Sequence, residues 1–581
     1  MTAPPRRLTE NLRTLLASIY PEENAEDLAR RAIQAYWGGA TAPRKRARQP
    51  SNTLWSERDS IVIAYGNSIV DGVHKPLDIL YDFLSEHLLG TVNGVHILPF
   101  FPFTSDDGFA VTDYETVNSA LGDWSDINRI AGRFKLMSDL VLNHVSSQSA
   151  WFNDYRQGHE PYKNYFVEVD PDADLSMVVR PRAAPLLREV ETPGGMRHVW
   201  CTFSHDQIDL NFANPEVLFE FLRIMRLHID HGVRILRLDA VAFLWKRLGT
   251  TCIHLPETHA IIRLMRVLAD YSVEPIVLLT ETNVPNFENL SYFGNRNEAH
   301  VIYNFSLPPL LLHALLTGSS RYLNAWQMAM PPAQLGCAYL NFTASHDGIG
   351  LRPAEGLIPP EDVGMLVETV RGFGGLVSMR SANGAQSPYE LNVSLFDALK
   401  GTANGPDGRQ FDRFLCSQTI VMALEGVPAF YIHSLLATAN DIEAVERTGV
   451  NRAINRHRWD YDTLKALLSD PGSIHAMVLS EMKRRLDIRA CQPAFHPNGT
   501  QFTLQIEERA FGVWRQSLDR SQSIFAIANV SAEPISISAL AINLIEGDSW
   551  VDLLSGDEVR SATTEIAFAP YQCRWITNRN H

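Results

Sequence analysis

Eight short apolar runs rich in β-branched residues recur along the middle of the chain, with helix-like stretches between most of them. They read "SIVIAYG" (60–66), "GVHILPF" (94–100), "FKLMSDLVLNH" (134–144), "VRILRLDA" (233–240), "EPIVLLTET" (274–282), "HVIYNF" (300–305), "CAYLNFTASHD" (337–347) and "GVPAFYIHSLL" (426–436). Near-continuous apolar strands are buried on both faces, which alternating helices such as "PEVLFEFLRIMRLHIDHG" and "ETHAIIRLMRVLADY" would accomplish. The economical solution is an α/β fold, a closed (β/α)8 barrel. The gaps at about 145–232 and 348–425 exceed a simple crossover and predict inserted subdomains. Residues 53–484 thus form the predicted barrel. Beyond it, 485–581 alternates like antiparallel strands and predicts a C-terminal β-sandwich. Residues 1–52 predict a helical extension, with an amphipathic helix in "PEENAEDLARRAIQAYW", followed by the Gly-, Pro- and Arg-rich linker "GGATAPRKRARQPSN".

Composition narrows the function. Among 581 residues, 66 Asp and Glu against 51 Lys and Arg give a formal charge of −15, which argues against a nucleic-acid or anionic-membrane surface. An acidic ligand would need a local basic site. Six scattered cysteines show no metal or disulfide spacing, and no apolar run is long enough to span a bilayer, so the expectation is a cytoplasmic protein without disulfides.

Within "GVRILRLDAVAFLW", Arg237 and Asp239 interrupt an otherwise apolar strand, and either charge alone costs several kcal/mol to bury. Period-two geometry puts both on one face, where the guanidinium can hold the carboxylate ionised. Other polar groups also fall at predicted strand ends: Asp139, Asn143 and His144, then Glu281 and Asn283, then His346 and Asp347. Asp139 sits back inside its strand and reads as structural, and Asn143 alone could be a turn former. Three carboxylates, Asp239, Glu281 and Asp347, would repel one another at one barrel mouth unless chemistry needed them. Asp239 can serve as nucleophile and Glu281 as acid and base, which at a separation of about 5 to 5.5 Å is a retaining glycosidic arrangement. Asp347 would then stabilise the positive sugar ring. A magnesium-dependent lyase would use the same carboxylates as ligands, but Arg237 disfavours a cation beside Asp239. An inactive sugar-binding subunit would be expected to have lost at least one of them.

The blocks "DLVLNH", "LRLDA", the Glu281 segment and "ASHD" resemble, in order, the motifs of the α-amylase superfamily of glycoside hydrolases and transglycosylases. The segments "SDDGF", "RPR", "LPPLLLHAL", "HDGIG", "YELN", "GVPAFYI" and "NRAINRH" resemble its sucrose phosphorylase subfamily. That resemblance implies Asp239 as nucleophile, Glu281 as acid/base and Asp347 as transition-state stabiliser. It implies a glucose-holding shell of Asp106, Phe109, His144, Arg237, His346 and Arg452, with Asp106 and Arg452 pairing across the far hydroxyls. Arg182 of "RPR" would approach the acceptor, and Asn283, Tyr389 and Glu390 would line the leaving-group side. Sucrose phosphorylases carry His and Gln where this chain has Asn283 and Glu390, so the leaving-group side departs from the fructose-recognising pattern while the glucose side matches. The "ETNVP" segment and the N-terminal extension resemble instead the glucosylglycerate phosphorylases of that subfamily, with Arg180 and Arg182 serving glycerate and phosphate. The substrates expected are an α-glucoside and inorganic phosphate. No cofactor or metal is expected, although Asn143 resembles a calcium-binding position of amylases. Phosphorylases of sucrose, sucrose 6-phosphate or glucosylglycerol, and an α-glucosidase using water, are the alternatives. Phe243 to Trp245 stay open between acceptor wall and packing.

Overall fold

The structure, a computed structural model, describes residues 4–38, 54–182, 184–382, 385–542, 550–559 and 565–578. All eight apolar runs form parallel strands: β1 (Ile61–Ala64), β2 (Gly94–Ile97), β3 (Lys135–Val141), β4 (Val233–Asp239), β5 (Val277–Thr280), β6 (Val301–Tyr303), β7 (Ala338–Asn341) and β8 (Val427–Tyr431). Each pairs with its sequence neighbour and β8 returns to β1, which closes the barrel. The runs extend past the strands. Thus β7 stops at Asn341, and His346 and Asp347 project from the loop above it.

Two pieces of packing position the site. Helices α1 (Arg6–Ile19) and α2 (Ala25–Trp37) carry apolar faces, with Leu8, Leu12 and Leu16 buried at helical spacing. The second helix starts four residues later than the periodic segment because Asn24 caps it, accepting from the Glu26 and Asp27 amides. The pair lies against two helices of the barrel's outer layer, α3 (Pro215–Asp230) and α4 (Pro256–Asp270), which flank β4 in sequence. Tyr20 packs on Trp245, 6.2 Å between ring centres, and donates from its hydroxyl to the Phe212 carbonyl at 2.9 Å. The basic linker falls, apart from Gly38, outside the described residues.

Small sheets occupy the two long gaps. In the first, His144–Ser146 pairs with Gln207–Asp209, beside a hairpin of Leu187–Thr192 and Gly195–Trp200. In the second, Ile349–Gly350, Ala385–Asn392 and Leu376–Ala382 form a three-stranded sheet. Each gap ends in a barrel helix, α3 and then α5 (Gln410–Ala423). After helix Ile474–Ala490 comes a six-stranded antiparallel sheet with a separate two-stranded one, closed around Phe525, Trp550, Phe568 and Ile576. Among the described residues no helix is long and apolar enough to cross a membrane.

Candidate active site

The register of β3, β4 and β5 places Asp139 and Leu279 on either side of Arg237. Its Nη1 donates to Asp139 Oδ1 and, at 2.6 Å, to Asp239 Oδ1. The guanidinium lies over the Phe109 and Tyr303 rings at 5.7 and 5.6 Å. Behind it His96 Nε2 meets Asp139 Oδ2 at 2.7 Å. Burial alone would raise the Asp139 carboxyl, but His96 and Arg237 hold it down at about 2. The buried charges are therefore paired and hydrogen-bonded, the condition under which their desolvation is tolerable. His96 gave no signal in the sequence, because a lone histidine in an apolar run reads as core.

Asp239 ends β4, and the next residue, Ala240, turns through φ +50°, a left-handed conformation that non-glycine residues seldom adopt. That turn aims the Ala240 N–H at Glu281 Oε2, 3.1 Å away. Glu281 Oε1 stands 4.0 Å from Arg237 Nη2. Burial raises both Asp239 and Glu281 above the ordinary carboxylate range, with the neighbouring carboxylates adding to the effect. Such a pair loses its protons as a unit. Arg237 bonds Asp239 directly and Glu281 only distantly, so in the singly protonated state the negative charge rests on Asp239.

Asp347 is held differently. Burial would raise it, but Arg452, 2.5 Å away, and Arg456, at 3.8 Å, keep it below its usual value. Asp106 is likewise held low against its burial by Arg452 and Arg456. It sits with Asp107 in a short turn at φ +52° and +47°. Phe109 and His346 stack at 4.9 Å, and His144 Nε2 meets the Phe109 carbonyl at 2.9 Å, with Gln207 Nε2 3.1 Å from the same nitrogen. Burial lowers both histidines, which keeps them neutral.

Two expectations are corrected here. Glu390 does not face the cavity: it is fully buried behind Arg452, accepting from its Nε at 3.0 Å and its Nη2 at 2.7 Å, while Asn392 Nδ2 donates at 2.6 Å. A carboxylate gives the guanidinium fork two acceptors in one plane, so this side chain positions Arg452. Arg452 consequently turns to Glu390 and Asp347 and stays 4.0 Å from Asp106, which Arg456 approaches to 3.6 Å and whose neighbour Asp107 it bonds at 2.7 Å. Second, Arg180 is exposed and donates to the Ala184 carbonyl within its own loop, away from the cavity. Arg182 does face it, over the Tyr389 ring at 5.7 Å, and so does Arg352, which sequence reasoning missed.

One cavity collects these groups: Asp239, Glu281, Asp347, Asp106, Phe109, His144, Arg237, His346, Arg452, Arg182, Asn283 and Tyr389 all line it. Phe243 lines it too, whereas Trp245 turns outward to Tyr20.

Asn143 belongs to a neighbouring cluster. Lys246, 5% exposed in its side chain, donates from Nζ to Asn143 Oδ1 at 2.7 Å and the Phe243 carbonyl at 2.6 Å, and pairs with Asp209 Oδ2 at 2.6 Å. Three acceptors match the three donors of an ammonium. A calcium ion does not fit these oxygens, because it would meet that ammonium's charge. Lys246→Met is expected to lower stability by about 3 to 5 kcal/mol, the usual effect of leaving a buried carboxylate unpaired. A thermal melt checks it. The same melt on wild-type protein is expected to be unchanged by a chelator.

Residues 72–337 match the family described as "Alpha amylase, catalytic domain". A glucosylglycerate phosphorylase of Spirochaeta thermophila is 40% identical over 98% of this chain and 98% of its own. Another, of Allomeiothermus silvanus, is 42% identical over 90% of this chain and 91% of its own. The crystal structure of sucrose 6F-phosphate phosphorylase from Thermoanaerobacter thermosaccharolyticum has the same fold, with a TM-score of 0.72 at 24% identity over 88% of this chain and 98% of that one.

Proposed function

The chain belongs to the α-amylase family, and we propose that it is a retaining phosphorylase converting 2-O-α-glucosylglycerate and phosphate to α-D-glucose 1-phosphate and D-glycerate. Asp239 attacks the anomeric carbon while the bond to the glycerate oxygen breaks and Glu281 passes its proton to that oxygen. Glu281, now ionised, takes a proton from phosphate as a phosphate oxygen attacks the glucosyl-enzyme from the face glycerate left. The bond to Asp239 breaks, and two inversions leave the α configuration. Asp347 stabilises the positive charge that develops on the ring. Asp106, Arg452, His144 and His346 hold the glucose hydroxyls, with Phe109 against the ring face.

The observation that carries this reading is a pair of uncommitted guanidinium groups in the cavity. Arg237 is paired with Asp139 and Asp239, and Arg452 with Glu390 and Asp347, whereas Arg182 and Arg352 face the cavity with no carboxylate in hydrogen-bond contact among the described residues. Water as the attacking group, or fructose or glycerol as the leaving group, would give those two cations nothing to pair with; phosphate and glycerate do. All six cysteines are free thiols, which suits the reducing cytoplasm proposed as its place.

The test is to incubate the protein with phosphate and a panel of α-glucosides and assay glucose 1-phosphate against free glucose. Free glucose alone would overturn the phosphorylase reading, and product from sucrose but not glucosylglycerate would overturn the substrate. A pH profile adds a second check. Glu281 must start protonated, so kcat/KM is expected to fall as pH rises through its raised pKa. Asp239 must be ionised, so it falls again on the acid side.

A further inference from the structure

The two cavity-facing arginines that do not serve the sugar carboxylates have different surroundings. Arg182 leans on Tyr389, and its charge acts on Asp106 and Asp347 at the sugar end. Arg352 follows the short strand Ile349–Gly350. Its side chain is only 11% exposed, and its one polar contact among the described residues is Glu288 at 3.9 Å, a carboxylate that His254 Nε2 already meets at 3.0 Å. A nearly buried guanidinium with five donors and one distant, shared acceptor is under-satisfied.

The backbone that leads to Arg352 is held close to the Glu281 segment. Gly350 lies against Asn283, two residues past Glu281, so tightly that an added Cβ would meet the amide oxygen at 2.9 Å. Asn283, Glu281 and Arg352 all line the same cavity. In a 2-O-glucosylated glycerate the carboxylate is bonded to the carbon that bears the glycosidic oxygen. It must therefore lie next to the atom Glu281 protonates.

We infer that Arg352 recognises the carboxylate of the acceptor, and that Arg352 sets the preference for a 2-hydroxy acid over an uncharged polyol. This rests on the phosphorylase reading above.

The test runs in the synthetic direction, with glucose 1-phosphate as donor and D-glycerate or glycerol as acceptor, reading the ratio of the two kcat/KM values. The donor half-reaction is common to both, so any effect on phosphate handling cancels. Losing a charge-assisted hydrogen bond is expected to lower the ratio in Arg352→Gln by about 10- to 100-fold. Arg352→Lys keeps the charge but loses the planar fork, and is expected to fall severalfold. An unchanged ratio in either variant, or a fall in Arg182→Gln as large as in Arg352→Gln, would overturn the assignment. A wild-type enzyme that does not prefer glycerate overturns the substrate reading itself. A wild-type preference that survives in Arg352→Gln removes only the role of Arg352.

Discussion

Asp239→Asn is expected to lower phosphorolysis by about 10⁴-fold or more, since removing a nucleophile leaves only binding and electrostatic stabilisation behind. The asparagine keeps the shape and can still accept from Arg237 Nη1, so the loss would report chemistry and not misfolding. Stability supplies the control. The Asp239 carboxyl is raised above its unfolded value, so its ionised form opposes folding at neutral pH. Replacing it with a neutral amide removes the repulsion from Glu281 and Asp347. The melting temperature is therefore expected to equal or exceed that of wild type. A variant that is inactive and also markedly less stable would mean that Asp239 holds the barrel mouth together, contrary to the role given to it.

Glu281→Gln is expected to reduce turnover of glucosylglycerate by about 10²- to 10⁴-fold, the range of general acid catalysis. The effect should depend on the leaving group. Glycerate departs from a poor leaving oxygen and needs the proton; α-glucosyl fluoride does not, and its first step should be slowed far less. The alkaline fall in kcat/KM should vanish in the variant, because the group that titrates there is gone. An equal loss with both donors would place Glu281 in substrate binding instead.

Much of the fold was legible because barrel strands write themselves as apolar runs, and every one of the eight became a strand. The residues of the mouth were legible where they broke an apolar pattern: Arg237 and Asp239 are conspicuous because charge is costly there. What was not legible depends on partners far away in the chain. Glu390 reads like a pocket residue from its neighbour Tyr389, but strand alternation turns it to the opposite side, into contact with Arg452, 62 residues on. Arg456 lies one helical turn from Arg452, a spacing visible in "NRAINRH", yet its target in the Asp106–Asp107 turn is not. Lys246 gave no signal in the sequence; Asp209, far away in the chain, makes it a buried cation. Arg352 had no pattern to break, since an arginine before proline in a loop is ordinary.

The Lys246 ammonium has a consequence for how this protein can live with its own substrate. Inorganic phosphate binds calcium and precipitates it, so an enzyme that consumes phosphate and relied on a dissociable calcium brace would have its brace drawn off by the reactant it needs. A cation covalently attached to the chain cannot be sequestered or exchanged. The Asn143–Asp209 corner beside the sugar site is therefore expected to stay intact as the phosphate concentration rises.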